Sequence, residues 1–97
     1  MTEDIKIIRE KIDRIDTQIA SLFEQRMDLM KQVRQYKKER NLPVLDSGRE
    51  QAILQTCGSR IEDPELRPLY VEFQEKLIEL GRKRQSDLEA GERQDKT

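Results

Sequence analysis

Apolar residues recur in alternating steps of three and four along the first third of the chain. The series is Ile5, Ile8, Ile12, Ile15, Ile19, Leu22, Leu29, Val33 and Tyr36. Residues at this spacing share one face of an α-helix. Because no glycine or proline interrupts the series before Pro43, it predicts a single helix from about Glu3 to about Arg40. At ~1.5 Å per residue this helix would be on the order of 55 Å long.

A short second helix is predicted beyond Pro43. This proline should end the first helix, because the residue before a proline disfavours helical geometry. Asp46-Ser47-Gly48 offers N-cap candidates, and Ser47 with Glu50 fits a capping box that opens the second helix. That helix should end near Gly58.

A third helix, of medium length, is predicted after Asp63-Pro64, which fits an N-cap followed by proline at the first helical position. A later proline, Pro68, could move the start further along. The apolar stripe of this helix comprises Leu66, Leu69, Tyr70, Phe73, Leu77 and Leu80. Little beyond it is apolar, so we expect a helical domain over residues 1–88 and a disordered polar tail over residues 89–97.

Composition indicates that one copy of the chain is not enough. Hydrophobic residues make up 34% of the 97 positions and charged residues 40%, a balance more typical of long exposed helices than of compact single domains. The rest of the chain cannot cover the stripe of so long a helix. The stripe should therefore pack along the same stripe of a second copy, which predicts an all-α homodimer.

Charge and targeting features exclude several classes of function. The net charge is −1, with 19 basic and 20 acidic residues, so no chain-wide field would attract nucleic acid or an anionic membrane. With no histidine and one cysteine, Cys57, the chain cannot form an internal disulfide or the usual nitrogen and sulfur metal sites. The N-terminus lacks the apolar run of a secretory signal or membrane span. We expect a cytoplasmic protein.

Arg26 interrupts the apolar stripe of the long helix where the period predicts another apolar residue. A guanidinium on this seam needs a carboxylate, from the protein or from a ligand. Without a ligand it fits a structural ion pair or a polar residue that sets the register, as in coiled coils. Lys37 lies eleven residues further on, so it faces the same way roughly 16 Å along the helix. The two could bracket a small anion, although Lys37 alone also fits a solvated cation at the helix C-terminus.

Arg9 lies seventeen positions before Arg26, about 25 Å away along the helix, and cannot share its site within one chain. As an isolated residue it fits a surface charge paired with Asp13. In a dimer whose long helices run side by side, Arg9 could instead reach the Arg26 and Lys37 region of the other chain.

Further candidates lie on the second and third helices. Capping alone explains Asp46 and Glu50, but a cation in the first turn opposes the helix dipole, so Arg49 should face an anion or Asp46. Gly81 interrupts the third helix at a cost near 1 kcal/mol relative to alanine, either for close helix packing or to leave room for a ligand. Gln85 follows one turn later on the same side.

In order and spacing, these residues resemble the all-helical AroQ-type (type II) chorismate mutases. The resemblance covers about Ile5 to Gln85 and rests on Arg9-Glu10-Lys11-Ile12, Gln25-Arg26, Lys37, Pro43-Val44-Leu45-Asp46 and Arg49-Glu50. It implies an intertwined homodimer of three-helix chains (long, short and medium) with two active sites, each completed by the partner's Arg9. It also implies the cofactor-free rearrangement of chorismate to prephenate, in the shikimate pathway that supplies aromatic amino acids.

The resemblance assigns a role to each candidate. Arg26 and the partner's Arg9 would hold the two carboxylates of chorismate in the compact diaxial shape that reacts. Lys37 and Gln85 would donate hydrogen bonds to the ether oxygen, where negative charge develops. Glu50 and Asp46 would take the ring hydroxyl and fix the orientation of the substrate, with Arg49 steadying that end of the site. The implied catalytic residues are Arg26, Lys37, Glu50 and Gln85, and the implied substrate-binding residues are Arg9, Asp46, Arg49 and Gly81.

The sequence departs from the family pattern at Gly81, where the family often has a serine, so a hydroxyl contact to the substrate would be missing. Arg84 is a rival to the neighbouring Gln85. Relatives with the same fold act on isochorismate as a pyruvate lyase or on an amino analogue as an aminodeoxychorismate mutase. The paired acids Asp46 and Glu50 favour a ring hydroxyl at the position where chorismate carries it. A non-catalytic helical dimerisation or regulatory module would fit the composition, but leaves the ordered set of site residues unexplained.

Overall fold

The computed structural model describes residues 4–95, and this range is helical with no strand. It contains three α-helices, α1 (Ile5–Glu39), α2 (Ser47–Cys57) and α3 (Arg67–Asp95), with a 3₁₀ turn over Gly58–Arg60. The predicted all-α class, with a long, a short and a medium helix, is confirmed. The homodimer stays a prediction.

The ends of α1 lie within two residues of the predicted ones, and local hydrogen bonds explain both. Asp4 is the N-cap, and its Oδ1 accepts a hydrogen bond from the backbone N–H of Lys6 at 3.2 Å. At the other end Asn41 takes a left-handed φ of 56°. The N–H of Leu42 then donates to the carbonyl of Lys37 at 2.8 Å. This is the Schellman arrangement, so the helix stops before Pro43 is reached.

At the start of α2, Asp46 is the N-cap and Ser47 is the first helical residue. The Oδ1 atom of Asp46 accepts a hydrogen bond from the N–H of Arg49 at 3.0 Å. The capping box predicted from Ser47 and Glu50 is therefore wrong. The carboxylate of Glu50 instead contacts Arg82 of α3, so a tertiary contact has displaced the local one.

The start of α3 is the later of the two predicted positions. Asp63 forms a turn, in which its carbonyl accepts from the N–H of Leu66 at 3.0 Å, and the helix begins at Arg67. At its other end α3 continues to Asp95, although the sequence predicts disorder over residues 89–97. An ion pair between Glu92 and Arg34 of α1, at 3.2 Å, ties this segment to the fold. Residues 96 and 97 lie outside the described range.

The three helices form an elongated body of 63 × 29 × 15 Å, in which α3 packs against both α1 and α2. Among the described residues the buried apolar side chains are Cys57 and Ile78, whereas the buried polar and charged ones are Arg34, Lys37, Gln74 and Gln85. The interior of a single chain is thus mostly polar. No helix in residues 4–95 is long and apolar enough to cross a membrane.

Candidate active site

A cavity of about 190 Å³ lies between the C-terminal half of α1, the start of α2 and the middle of α3. Seven of the eight predicted site residues line it, namely Arg26, Lys37, Asp46, Arg49, Glu50, Gly81 and Gln85. Apolar lining comes from Met30, Val33, Val44, Ile53 and Ile78. Residues from all three helices therefore meet in one pocket with a charged rim and an apolar floor.

Arg9 is the predicted site residue that does not line this cavity. It is exposed on the N-terminal part of α1, about 25 Å along the helix axis from Arg26. A rigid helix separates the two, so Arg9 cannot reach the cavity of its own chain.

Lys37 and Gln85 form a buried pair at one end of the cavity. The Nζ atom of Lys37 donates to the carbonyl of Val44 at 2.6 Å and to Oε1 of Gln85 at 2.9 Å. An ammonium has three donor hydrogens and an amide nitrogen has two. Lys37 thus keeps one donor, and Nε2 of Gln85 contacts only the weak acceptor Sδ of Met30, at 3.6 Å. The burial of Lys37 argues against its interpretation as a solvated helix-terminal cation.

Arg26 is half-buried at the wall of the cavity. Its Nη1 donates to the carbonyl of Leu77 on α3 at 3.2 Å. Burial lowers the pKa of Arg26, the nearby cation of Arg49 lowers it further, and Tyr70 acts in the opposite direction. Among residues 4–95 no carboxylate forms an ion pair with Arg26. The structural ion pair expected as one alternative is therefore not found within residues 4–95, and a ligand carboxylate or a register-setting role stays a prediction.

The glycine at position 81 is explained by the approach of Arg26 to α3. A Cβ atom on Gly81 would lie 3.0 Å from Nη1 of Arg26 and 3.2 Å from Sδ of Met30. Both distances are shorter than an ordinary van der Waals contact. Gly81 therefore lets the guanidinium lie directly against the helix. Because Gly81 also lines the cavity, close packing and room for a ligand both stay open.

Arg82 is a lining residue that the sequence analysis missed. Its Nη1 donates to Oε1 of Glu50 at 2.9 Å and to Oε2 at 3.3 Å. A signal for it was present, because Arg82 lies three positions before Gln85 and so shares a helix face with it. Arg84, the predicted rival of Gln85, lines a different groove together with Phe23.

The charges around the cavity are unbalanced. Four cationic side chains line it, on Arg26, Lys37, Arg49 and Arg82, against the two carboxylates of Asp46 and Glu50. The excess of two positive charges suits a small dianion. Within residues 4–95 no group of three histidine, cysteine or acidic side chains is placed to hold a metal ion.

Comparison with known proteins decides the family. The model for the family described as chorismate mutase type II matches residues 8–86. The chain belongs to this family. The predicted resemblance is thus confirmed, and the match includes every residue that lines the cavity, so the cavity is part of the chorismate mutase type II domain.

A solved structure supports the same fold for this family member. It is a conserved hypothetical protein from Pyrococcus furiosus, 33% identical, with a TM-score of 0.66, and the similarity covers 88% of this chain and 99% of that one. A search of curated proteins finds no match. The family is therefore established by the domain match, and the activity has to be argued from the site.

Proposed function

We propose that the protein is a chorismate mutase, which converts chorismate to prephenate by a [3,3] rearrangement. The observation that carries this proposal is the buried Lys37–Gln85 pair in the same cavity as Arg26, a cation whose hydrogen bond goes to the backbone carbonyl of Leu77. The rearrangement breaks an ether C–O bond while it forms a C–C bond, with no proton transfer and no covalent intermediate. It needs a dianion held in its reactive shape and donors aimed at the ether oxygen. The cavity supports this with Arg26 as a cation for one carboxylate and with Lys37 and Gln85 as candidate donors.

Lys37 and Gln85 are suited to the ether oxygen because both line the cavity and each keeps donor capacity. Since Oε1 of Gln85 accepts from Lys37, its amide nitrogen is the group left to donate. Negative charge develops on the ether oxygen as the C–O bond breaks. Preorganised donors of this kind each contribute about 3 to 4 kcal/mol to transition-state stabilisation.

Chorismate has two carboxylates, and Arg26 can bind one of them. A second copy of the chain could supply the cation for the other. A groove of about 660 Å³ lies beside the active-site cavity, between α1 and α3. Its apolar lining comprises Ile19, Ala20, Leu22, Phe23, Tyr70, Phe73, Leu77 and Leu80. We propose that α1 of a partner chain packs along this groove in an intertwined homodimer. The partner's Arg9 would then complete the carboxylate site begun by Arg26.

The start of α2 is suited to the ring end of the substrate. Glu50 can accept a hydrogen bond from the ring hydroxyl, and Asp46 and Arg49 surround the same end of the cavity. Glu50 would favour chorismate over isochorismate by accepting from a hydroxyl at the ring position that chorismate uses, since isochorismate carries its hydroxyl on another ring carbon. We place the reaction in aromatic amino-acid biosynthesis in the cytoplasm.

The direct test is to add chorismate to the purified protein, follow its ultraviolet absorbance and identify the product, with isochorismate in a parallel reaction. We expect prephenate from chorismate, and a loss of nearly all turnover in Arg26→Ala with the helical content unchanged. Release of pyruvate from isochorismate would reassign the protein as a lyase. If a well-folded protein consumed neither compound, the non-catalytic module would replace the proposal.

A further inference from the structure

The ion pair between Arg82 and Glu50 has no role in the reaction as described above. Glu50 is the acid proposed to face the substrate ring, and Arg82 is bonded to both of its carboxylate oxygens. The side chains are 40% and 24% exposed, respectively, so the pair lies at the rim of the cavity. An ion pair this exposed adds little to stability, and its effect on the ligand site is the larger one.

Arg82 is the charged group that directly contacts the Glu50 carboxylate. The other charged groups that line the same cavity are Arg26 and Lys37 on α1 and Asp46 and Arg49 at the start of α2. A carboxylate has about four acceptor positions, and the Nη1 group of Arg82 shares its hydrogens between two oxygens. Glu50 therefore keeps acceptor capacity for a hydroxyl donor, while its negative charge is already balanced.

Because Arg82 already neutralises the charge of Glu50, this carboxylate should bind a neutral ring hydroxyl and a charged ring ammonium with different strength. A neutral hydroxyl needs only a free lone pair, which Glu50 retains. A protonated amine at the same ring position would carry its positive charge to within a few ångströms of the Arg82 guanidinium, and this repulsion would offset its attraction to Glu50.

We propose that Arg82 is a specificity-determining residue, which acts through Glu50 to select a ring hydroxyl over a ring ammonium in the substrate. The inference rests on the proposed function, because it assumes that Glu50 faces the substrate ring. It is separate from the chemical step, which is assigned to Lys37 and Gln85, whose hydrogen bonds join them to Val44, Met30 and each other.

The test compares chorismate with the amino analogue that has an amine in place of the ring hydroxyl. The readout is the inhibition constant of the analogue against chorismate turnover, divided by the KM for chorismate. In Arg82→Gln this ratio should fall about tenfold, since the repelling charge is gone. Arg82→Met, which keeps most of the aliphatic stem, should show the same fall, and Arg82→Lys should restore the wild-type ratio.

Two controls separate this effect from a general change in charge. Arg84→Gln removes an identical charge two positions along α3, in a residue that lines another groove, and should leave the ratio unchanged. In a Glu50→Gln background, Arg82→Gln should no longer lower the ratio, because Arg82 acts through that carboxylate.

The possible failures are distinguishable. A ratio that stays constant in Arg82→Gln and Arg82→Met while chorismate is still converted overturns the inference alone. An equal fall in Arg84→Gln overturns it too, because net charge would then explain the change. If the wild-type protein converts no chorismate, the proposed function fails, and the inference fails with it.

Discussion

The two halves of α1 have opposite relations to the rest of the chain. From Asp4 to Gln25 every residue is exposed, including Ile12 at 49% and Ile15 at 54%. From Arg26 onward the helix packs against α3 and buries charged side chains, on Arg34 and Lys37. Soluble folds normally bury isoleucine and expose lysine. The proposed homodimer would cover the first half, whereas the second half buries polar groups for their specific contacts within the chain.

This comparison explains how one helix can serve two purposes. A regular apolar stripe is suited to packing along another helix, because such packing requires apolar side chains at the right spacing but no particular functional group. The polar residues Arg26 and Lys37 are suited to a ligand, because each is held by a specific hydrogen-bonding partner, Leu77 or Gln85 on α3. The most informative experiments change one half and leave the other intact.

The largest effect is expected in the buried half, from Lys37→Ala. Loss of this donor should reduce kcat for chorismate by about 10²–10³-fold, as for other preorganised donors. The matched control is Lys38→Ala, since Lys38 is the next residue and its side chain is 42% exposed. Steady-state kinetics checks both variants. A Lys37→Ala enzyme with normal kcat would remove Lys37 from the mechanism.

The second prediction tests both halves of α1 together, by mixing an inactive variant of the exposed half with an inactive variant of the buried half. Arg9→Ala and Lys37→Ala should each be nearly inactive. In a mixed dimer, one site would combine the intact Lys37 of one chain with the intact Arg9 of the other. Random assembly makes half of the dimers mixed, with one good site each, so activity should return to about a quarter of the wild-type level.

The complementation is measured after the two variants are unfolded together and refolded, with each variant refolded alone as the control. A mixture no more active than its components would contradict shared active sites. Light scattering on the same samples gives the mass of the assembly and shows whether dimers have formed.

A smaller effect is expected from Gly81→Ala, which changes the wall of the buried half. The new Cβ would lie 3.0 Å from Nη1 of Arg26, so the guanidinium must shift and kcat/KM should fall several-fold. The free energy of unfolding should rise by up to about 1 kcal/mol, because alanine is the better helix former. Kinetics and urea denaturation measure the two changes. A Gly81→Ala enzyme with unchanged kcat/KM would show that Arg26 does not need this close approach.

The smallest effect is expected at the far end of the buried half, where Arg34 meets Glu92. The two side chains are 10% and 24% exposed, so Glu92→Gln should lower the free energy of unfolding by about 1 kcal/mol, after allowance for solvent screening. Glu79→Gln is the control, because its ion pair with Lys76 is largely exposed. Denaturant titration of both variants is the measurement, and equal stabilities would contradict a stabilising role for the Arg34 pair.

The helices themselves were predictable because their signals are local. The three-four period predicts α1 from neighbours within one or two turns, and Asn41 with Pro43 predicts its end. The site was largely predictable too, since Arg26 breaks that period and the family resemblance supplies the order of the others. Seven of the eight predicted site residues line one cavity.

Only the tertiary structure decided which residues that are distant in sequence contact each other. Glu50 contacts Arg82, 32 positions away, instead of forming the predicted capping box with Ser47. Glu92 meets Arg34, 58 positions away, and α3 continues through a segment whose composition predicts disorder. Gly81 accommodates a guanidinium from another helix. No local pattern encodes such pairs, because each depends on how the helices pack. The sequence by itself determined the helices and the types of residue in the site, and packing decided which charges meet.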